Sequence, residues 1–107
     1  IEKPNLAVIK KNGERELFDR GKLANAVHRS VGKFFKSEEE VENIINNVEE
    51  ALYALGDSEV TSKQIGDQVM NELADRNEVA YVRFASVYHK FSTLDDFVKI
   101  LDQRRKD

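Results

Sequence analysis

Residues 6–18 read LAVIKKNGERELF, and this stretch decides the fold. Residues 6–9 are apolar and partly β-branched, and residues 14–18 form a second strand-like run. Between the two runs, Asn12-Gly13 is a dipeptide typical of a two-residue type I′ turn. The pattern therefore predicts a β-hairpin. Because an isolated hairpin is only marginally stable in water, the hairpin must pack on the rest of the chain.

The rest of the chain has the periodicity of helices. Asp19 is a suitable N-cap for a first helix, Ser37 starts a second helix that Gly56 ends, and Thr61 caps a third. A fourth helix begins near Asn77, and a short last helix follows it. Apolar residues recur at helical spacing in each segment, from Leu23 to Phe34 in the first helix and from Val41 to Leu55 in the second. The sequence thus predicts an α+β domain, with an N-terminal β-hairpin packed on a four-helix cluster and a short extra C-terminal helix.

Length and composition restrict the class of protein. The sequence has 107 residues and a formal net charge of -3, which fits one small domain and disfavours a surface that coats nucleic acid. The sequence contains no cysteine, which excludes disulfides and thiolate metal sites within this stretch. No apolar run approaches the ~20 residues of a membrane span, and no signal peptide is present. We therefore expect a cytoplasmic domain with no membrane partner.

Motifs for catalysis or metal binding are absent from the sequence. It contains no P-loop, no G-x-G-x-x-G after a strand and no H-E-x-x-H. The two histidines, His28 and His89, lack partners at metal-ligand spacing. Carboxylates are plentiful, but they fall on solvated faces with no apolar pocket to perturb them. We therefore predict no catalytic residues, no metal site and no enzymatic activity for this stretch.

Several cations lie close to the start of the first predicted helix. Arg20 and Lys22 occupy its first turn, where the helix dipole disfavours a cation by about 0.3–1 kcal/mol each. Lys10 and Lys11 belong to the hairpin that leads to the same turn. Cations that converge on free helix-terminal N–H groups suit a polyphosphate. The alternative is that nearby acids such as Glu16 offset these cations as surface ion pairs, and the residues alone leave both interpretations open.

The third and fourth predicted helices have a further interpretation. A capped helix joined by a short link to another helix superficially resembles a DNA-reading helix-turn-helix. Only Lys63 and Arg76 supply positive charge there, and three acids oppose it, at Asp67, Glu72 and Asp75. An ordinary packed helix is therefore the preferred interpretation. A helix-turn-helix would predict salt-sensitive duplex binding by this stretch alone.

Two strings in the sequence resemble known families. Residues 8–23, VIKKNGERELFDRGKL, resemble the opening of ATP-cone domains, small regulatory domains that bind ATP or dATP without catalysing its hydrolysis. Residues 79–88, VAYVRFASVY, resemble the C-terminal half of NrdR-type bacterial repressors, which control ribonucleotide reductase genes. Together the resemblance covers residues 4–97. The alternative is the N-terminal allosteric ATP-cone of a ribonucleotide reductase catalytic subunit, although reductase cones match the second string less well.

The resemblance implies a regulatory domain rather than an enzyme. ATP or dATP, accompanied by Mg²⁺, would act as an effector of self-association into homo-oligomers and of operator DNA binding. Exposed apolar residues on the fourth and last helices, such as Val87 and Ile100, are candidate interface positions.

The resemblance also implies a division of the chain. Residues 1–5 would be the remnant of an inter-domain segment, residues 6–92 the nucleotide-binding ATP-cone, and residues 93–107 a C-terminal helical extension. NrdR-type repressors begin with a four-cysteine zinc ribbon that contacts DNA. Because this chain has no cysteine and opens on Ile1, we expect a portion without that ribbon, its zinc and its direct operator contacts.

Matched position by position, the resemblance assigns roles at the polyphosphate end of the site. Lys10, Lys11 and Lys22 would pair with phosphates, and Glu16 would face the sugar or base. Arg83, inside the second string, is compatible with a phosphate, subunit or structural contact.

The remaining implied site residues concern the base. Val8 and Ile9 would supply an apolar floor or backbone groups. Ser62 matches a helix-cap position close to the nucleotide, and a simple N-cap role fits it equally well. Tyr88 and His89 lie where an aromatic ring could approach the nucleotide, although Tyr88 also suits a plain core position.

Overall fold

The structure, a computed structural model, describes residues 5–106, with side chains as far as residue 105. Within that range it contains three short strands and five α-helices, which confirms the predicted α+β class. Of the predicted inter-domain remnant, only Asn5 falls inside the described residues. The elements are β1 (Ala7–Ile9), β2 (Arg15–Leu17), α1 (Arg20–Val31), α2 (Glu38–Ala54), β3 (Glu59–Thr61), α3 (Ser62–Arg76), α4 (Glu78–Tyr88) and α5 (Leu94–Lys106).

The predicted hairpin is confirmed, but the predicted type of turn is wrong. Gly13 has a φ of 87°, whereas Asn12 does not have the positive φ that a type I′ turn requires. The Gly13 N–H donates to the Lys10 carbonyl (2.9 Å), and the Lys10 N–H donates to the Glu14 carbonyl (2.8 Å). This is a three-residue loop that ends in a left-handed glycine. The Asn12 side chain stabilises it by accepting a hydrogen bond from the Glu14 N–H (3.0 Å).

A third strand completes the sheet and was not predicted. β3 pairs parallel with β1, with Val60 beside Val8, so the strand order is β2-β1-β3. Only Val60 is buried among the three residues of β3, and so short a run shows no alternation that sequence analysis could detect. The pairing makes β1 the central strand. It also brings the first residue of α3, Ser62, next to the hairpin.

Helices α1 to α4 enclose the core beneath this sheet. The apolar stripe predicted for α2 is confirmed, since its inward residues are 0–3% exposed: Val41, Ile44, Ile45, Val48 and Leu52. The stripe predicted for the first helix was too long. Phe34 lies in a separate one-turn 3₁₀ helix after α1 and is 37% exposed. Leu55 lies beyond the end of α2 and is also exposed.

The predicted helix caps are confirmed. The Asp19 carboxylate accepts hydrogen bonds from the N–H groups of Gly21 (2.8 Å) and Lys22 (3.4 Å) at the start of α1. Thr61 caps α3 in a reciprocal capping box, and Asn77 accepts from a backbone N–H of α4. These bonds fix where the helices begin and therefore where the side chains of their first turns lie.

The connection between α4 and α5 is a Schellman motif with an unusual residue at its centre. The Phe91 N–H donates to the Ser86 carbonyl (2.8 Å), and the Lys90 N–H donates to the Val87 carbonyl (3.3 Å). Lys90 has a φ of 55°, a conformation that usually selects glycine. Arg104 of α5 donates to a carbonyl of α3 (2.7 Å), which fastens the last helix to the domain.

Among the described residues, no helix combines the length and the apolar character needed to cross a lipid bilayer.

Candidate functional site

A cavity of about 270 Å³ lies where the hairpin meets α1, α3 and α4. Most of its lining is apolar and includes Val8, Ile65, Val69 and Phe84. Four polar side chains join this lining, from β2, the start of α1 and the start of α3: Glu16, Asp19, Lys22 and Ser62. The cavity therefore combines an apolar interior with charged groups, the combination that is typical of sites for small organic ligands with a charged end.

The charged part of the site is a carboxylate shared by two lysines. Oε2 of Glu16 lies 3.1 Å from Nζ of Lys22 and 3.4 Å from Nζ of Lys10. The hydrogen bond from Lys22 lowers the pKa of Glu16 below its ordinary value, and Lys10 acts in the same direction, although desolvation opposes both. Two cations thus share one anion, and the Asp19 carboxylate, which also lines the cavity, is engaged with backbone N–H groups of α1.

Two parts of the predicted cation cluster are wrong. The helix-terminal N–H groups of Gly21 and Lys22 are not free, because Asp19 accepts from both. Arg20 points away from the cavity, with its guanidinium 2.9 Å from Glu42 and 3.6 Å from Glu49 of α2. The cause is the charge of that neighbouring segment, which has eight acids and no base between residues 38 and 59. Any phosphate at this cavity would therefore meet lysine side chains rather than a helix terminus.

The apolar part of the site ends in an aromatic wall. The Tyr88 ring stacks on Phe84 with centroids 5.8 Å apart and an interplanar angle of 22°. The Tyr88 hydroxyl donates to the Lys63 carbonyl in the first turn of α3 (3.0 Å). Burial raises the pKa of the Tyr88 phenol above its ordinary value, and the negative charge of Asp67 adds to that shift. The ring is therefore neutral and fixed at physiological pH.

The cavity brings together five of the nine site residues implied by the sequence. They are Val8, Glu16, Lys22, Ser62 and Tyr88. Lys10 does not line the cavity, but it is attached to it through its ion pair with Glu16.

The other three of the nine also do not line the cavity. Ile9 follows Val8 on β1, and successive side chains of a strand point to opposite faces. Lys11 is exposed in the hairpin loop. The His89 ring stacks on Phe91, in the connection between α4 and α5, with centroids 6.1 Å apart. The nucleotide contacts of all nine residues remain predictions.

Several cavity residues were missed because the sequence placed them in helix cores. Ile65, Val69 and Phe84 have the periodicity of core positions, and periodicity does not separate a core from a cavity wall. Gly66 carried a signal that could have been used. Glycine in a helix interior costs about 1 kcal/mol relative to alanine, so its presence in α3 needs a reason. That reason is the Tyr88 ring, which lies against it.

The helix-turn-helix alternative does not fit the structure. α3 is a core helix whose Val69, Met70 and Leu73 are buried. Lys63, one of its two cations, pairs with Asp67 at 2.7 Å. Within the described residues, no group of three or more His, Asp or Glu side chains could hold a metal ion.

Comparison with known proteins identifies the family. The family model of the ATP cone domain matches residues 6–94. The chain is 47% identical over 107 residues to the transcriptional repressor NrdR of Dictyoglomus thermophilum, an alignment that covers 100% of this chain and 71% of that protein. The chain belongs to the NrdR family, with an ATP cone domain. Similar NrdR repressors occur in Petrotoga mobilis (45% identity, 94% of this chain and 67% of the relative) and Listeria welshimeri (46% identity, 100% and 71%).

These comparisons confirm the predicted NrdR resemblance. The relatives are named as transcriptional repressors, which also confirms the prediction of a regulatory rather than an enzymatic protein. They disfavour the alternative of a reductase catalytic subunit.

Proposed function

We propose that this NrdR-family chain binds an adenine nucleoside triphosphate in the cavity between the hairpin, α1, α3 and α4. The nucleotide acts there as the effector of a repressor of ribonucleotide reductase genes. The observation that carries the proposal is one cavity of about 270 Å³ that joins an aromatic, apolar interior to the Lys22–Glu16–Lys10 group. A nucleotide has two matching parts, a flat aromatic base and an anionic polyphosphate.

The base and sugar occupy the apolar part in this proposal. Val8 and the aromatic wall of Phe84 and Tyr88 contact the base. Aromatic side chains suit this role because stacking on a base typically contributes about 1–3 kcal/mol. The Ser62 hydroxyl lies at the start of α3, where it can meet the sugar.

The phosphates bind beside the lysine ammonium groups in this proposal. Lys22 and Lys10 already converge on one carboxylate, and Lys11 follows Lys10 in the exposed loop. A triphosphate carries more negative charge than the Glu16 carboxylate, so it displaces Glu16 from the two ammonium groups. The released carboxylate then turns to the sugar hydroxyls. Mg²⁺ enters with the triphosphate and is held by its oxygens and by water, a usual arrangement for this ion.

ATP and dATP are distinguished less by affinity than by what each does to helix packing and subunit contacts, because one 2′-hydroxyl changes few contacts. The two effectors instead bias different arrangements of an interface between copies of the chain, which amplifies a small difference. Exposed apolar residues on α4 and α5 supply candidate interface positions, among them Val79 (63% exposed), Val87 (52%) and Leu94 (81%). Ile100, the other position expected from the sequence, is half-buried.

The division of labour in this proposal is the one that the resemblance implies. Residues 6–92 bind the nucleotide in the cytoplasm, and residues 93–107 are a C-terminal extension, whose helix α5 spans Leu94–Lys106. Self-association decides whether attached DNA-binding modules are spaced to grip an operator, and this segment makes no base contacts of its own.

Thermal unfolding with ligand tests the proposal. The protein is melted alone, with ATP and Mg²⁺, with dATP and Mg²⁺, and with sulfate at the same ionic strength. A ligand at 100 times its dissociation constant adds about 2.7 kcal/mol. At roughly 4–8 °C per kcal/mol, the expected rise in Tm is about 10–20 °C. A rise that sulfate reproduces, or no rise at all, would contradict nucleotide binding.

A further inference from the structure

Gly66 faces the Tyr88 ring from the interior of α3. A Cβ atom at position 66 would lie 2.3 Å from both Cε1 and Cζ of Tyr88 and 2.7 Å from its hydroxyl oxygen. Carbon atoms in contact are normally about 3.5–4.0 Å apart. The tyrosine ring therefore occupies the space that any other residue at position 66 would need for its side chain.

We propose that Gly66 is a positioning residue for the nucleotide cavity, because its missing side chain lets the Tyr88 ring rest on α3 and form the cavity wall. The inference rests on the proposed nucleotide site and adds to it a residue that sets the site's shape. Gly66 and Tyr88 both line the cavity, so a change in their contact changes the cavity itself.

The Tyr88 ring is held from three directions. The Phe84 ring, one helical turn earlier in α4, stacks on the Tyr88 ring. The Lys63 carbonyl accepts a hydrogen bond from the Tyr88 hydroxyl at 3.0 Å. The ring also rests on α3 at Gly66. The hydroxyl can reach the first turn of α3 because the ring passes directly over Gly66. Position 66 thus controls the hydrogen bond as well as the ring position.

The clash in a Gly66→Ala variant falls on the far end of a side chain and not on backbone. The Tyr88 ring can rotate away while α3 stays in place, and alanine is a better helix former than glycine. We therefore expect the variant to fold. Its ring leaves α3, loses the bond to the Lys63 carbonyl and no longer shapes the wall.

The test measures nucleotide affinity by calorimetry for the wild type and four variants: Gly66→Ala, Gly32→Ala, Tyr88→Ala and the double variant Gly66→Ala/Tyr88→Ala. Gly66→Ala is expected to weaken ATP binding about tenfold or more, the range of a lost base–aromatic stack. Gly32→Ala is the matched control, because a Cβ there would lie 3.8 Å from the nearest atom, in His28, an ordinary contact. Its affinity should equal that of the wild type. Tyr88→Ala provides the background in which Gly66→Ala should cause no further loss, because no ring remains to be displaced.

A second readout follows the ring without nucleotide. The Tyr88 phenol titration, measured by NMR of the ring carbon Cζ, should shift in Gly66→Ala towards the ordinary tyrosine pKa, because the displaced ring is more exposed to water. In Gly32→Ala the Tyr88 titration should match the wild type.

The outcomes separate the two proposals. Unchanged ATP affinity and unchanged Tyr88 titration in Gly66→Ala would overturn the positioning role. An equal loss of affinity in the Tyr88→Ala background would also overturn it, since the effect would not pass through the ring. If the wild type itself bound no nucleotide, the proposed function would fail, and the ring titration alone would decide whether Gly66 positions Tyr88.

Discussion

Replacing Lys22 with alanine is expected to weaken ATP binding about 10- to 100-fold and leave the unliganded fold unchanged. Nζ of Lys22 lies 3.1 Å from Glu16, and the Lys22 side chain is 65% exposed. An exposed ion pair of this kind contributes little to folding because water and salt screen it. A hydrogen bond from an ammonium group to a phosphate contributes about 1.5–3 kcal/mol, and each 1.4 kcal/mol is tenfold in affinity.

Calorimetry of ATP binding at fixed ionic strength measures the effect, and Lys99→Ala is the matched control. Nζ of Lys99 lies 3.4 Å from Asp95 on α5, outside the cavity lining, and its side chain is 74% exposed. The two variants have the same net charge, so a general electrostatic effect would be equal in both. Adenosine, which has no phosphates, should bind Lys22→Ala as it binds the wild type.

Two results would refute the reasoning about Lys22. Wild-type affinity for ATP in Lys22→Ala would show that this lysine does not meet a phosphate. Equal losses in Lys22→Ala and Lys99→Ala would show that net charge, and not the site, attracts the nucleotide. In either case the Lys22–Glu16–Lys10 group would be a surface ion pair only, the alternative that the sequence left open.

Three further predictions concern the fold. Lys90→Gly should stabilise the domain by about 1 kcal/mol, because it removes a left-handed lysine (φ 55°), and calorimetry should show a Tm about 4–8 °C higher. Glu16→Gln should be less stable than the wild type at neutral pH in urea titrations. The pKa of Glu16 is lowered in the folded state, so the wild type's extra free energy of unfolding should be fully present above the ordinary glutamate pKa. It should disappear as the pH falls through the folded-state pKa. A difference that does not change with pH would contradict the ion pairs of Glu16. Leu52→Ala, at a position 0% exposed, should cost about 2–5 kcal/mol in the same titrations, and a cost below 1 kcal/mol would contradict its place in the core.

The helix starts could be predicted because their causes are local. Asp19, Thr61 and Asn77 each bond to a backbone N–H two or three residues further along the chain. Such bonds depend on little beyond the sequence of one turn, so the residue types suffice to place them. The same holds for the buried stripe of α2, whose spacing alone fixes one inward face.

The errors concern partners distant in sequence. β3 exists because β1 offers it a parallel partner about 50 residues earlier, and three residues give no pattern of their own. Arg20 could have served the cavity, but it pairs with Glu42 and Glu49 across the helix interface. Which of several possible partners a long cationic side chain takes depends on packing, and packing is not encoded in local spacing.

The candidate site divides in the same way. Its charged residues, such as Lys22 and Glu16, could be proposed from one short stretch of sequence that includes both. The apolar lining could be proposed only in part, since the resemblance implied Tyr88, whereas Phe84 and Ile65 satisfy the rules for core residues equally well. Gly66 was the exception. A glycine in a helix interior lowers helix stability, so its presence in the sequence indicates a close contact with another part of the fold.

A series of aromatic contacts connects the cavity wall to α5. Tyr88 contacts the His89 ring with centroids 4.8 Å apart, His89 stacks on Phe91, and Phe91 meets Phe97 of α5 edge to face at 5.0 Å. Contacts alone do not couple two sites, because coupling requires an element with two arrangements. Lys90 lies inside this series in a left-handed conformation that costs energy, so the joint between α4 and α5 is a candidate for an element with two arrangements. Under the proposed function, a ligand that shifts the Tyr88 ring would act on the joint that orients the exposed face of α5.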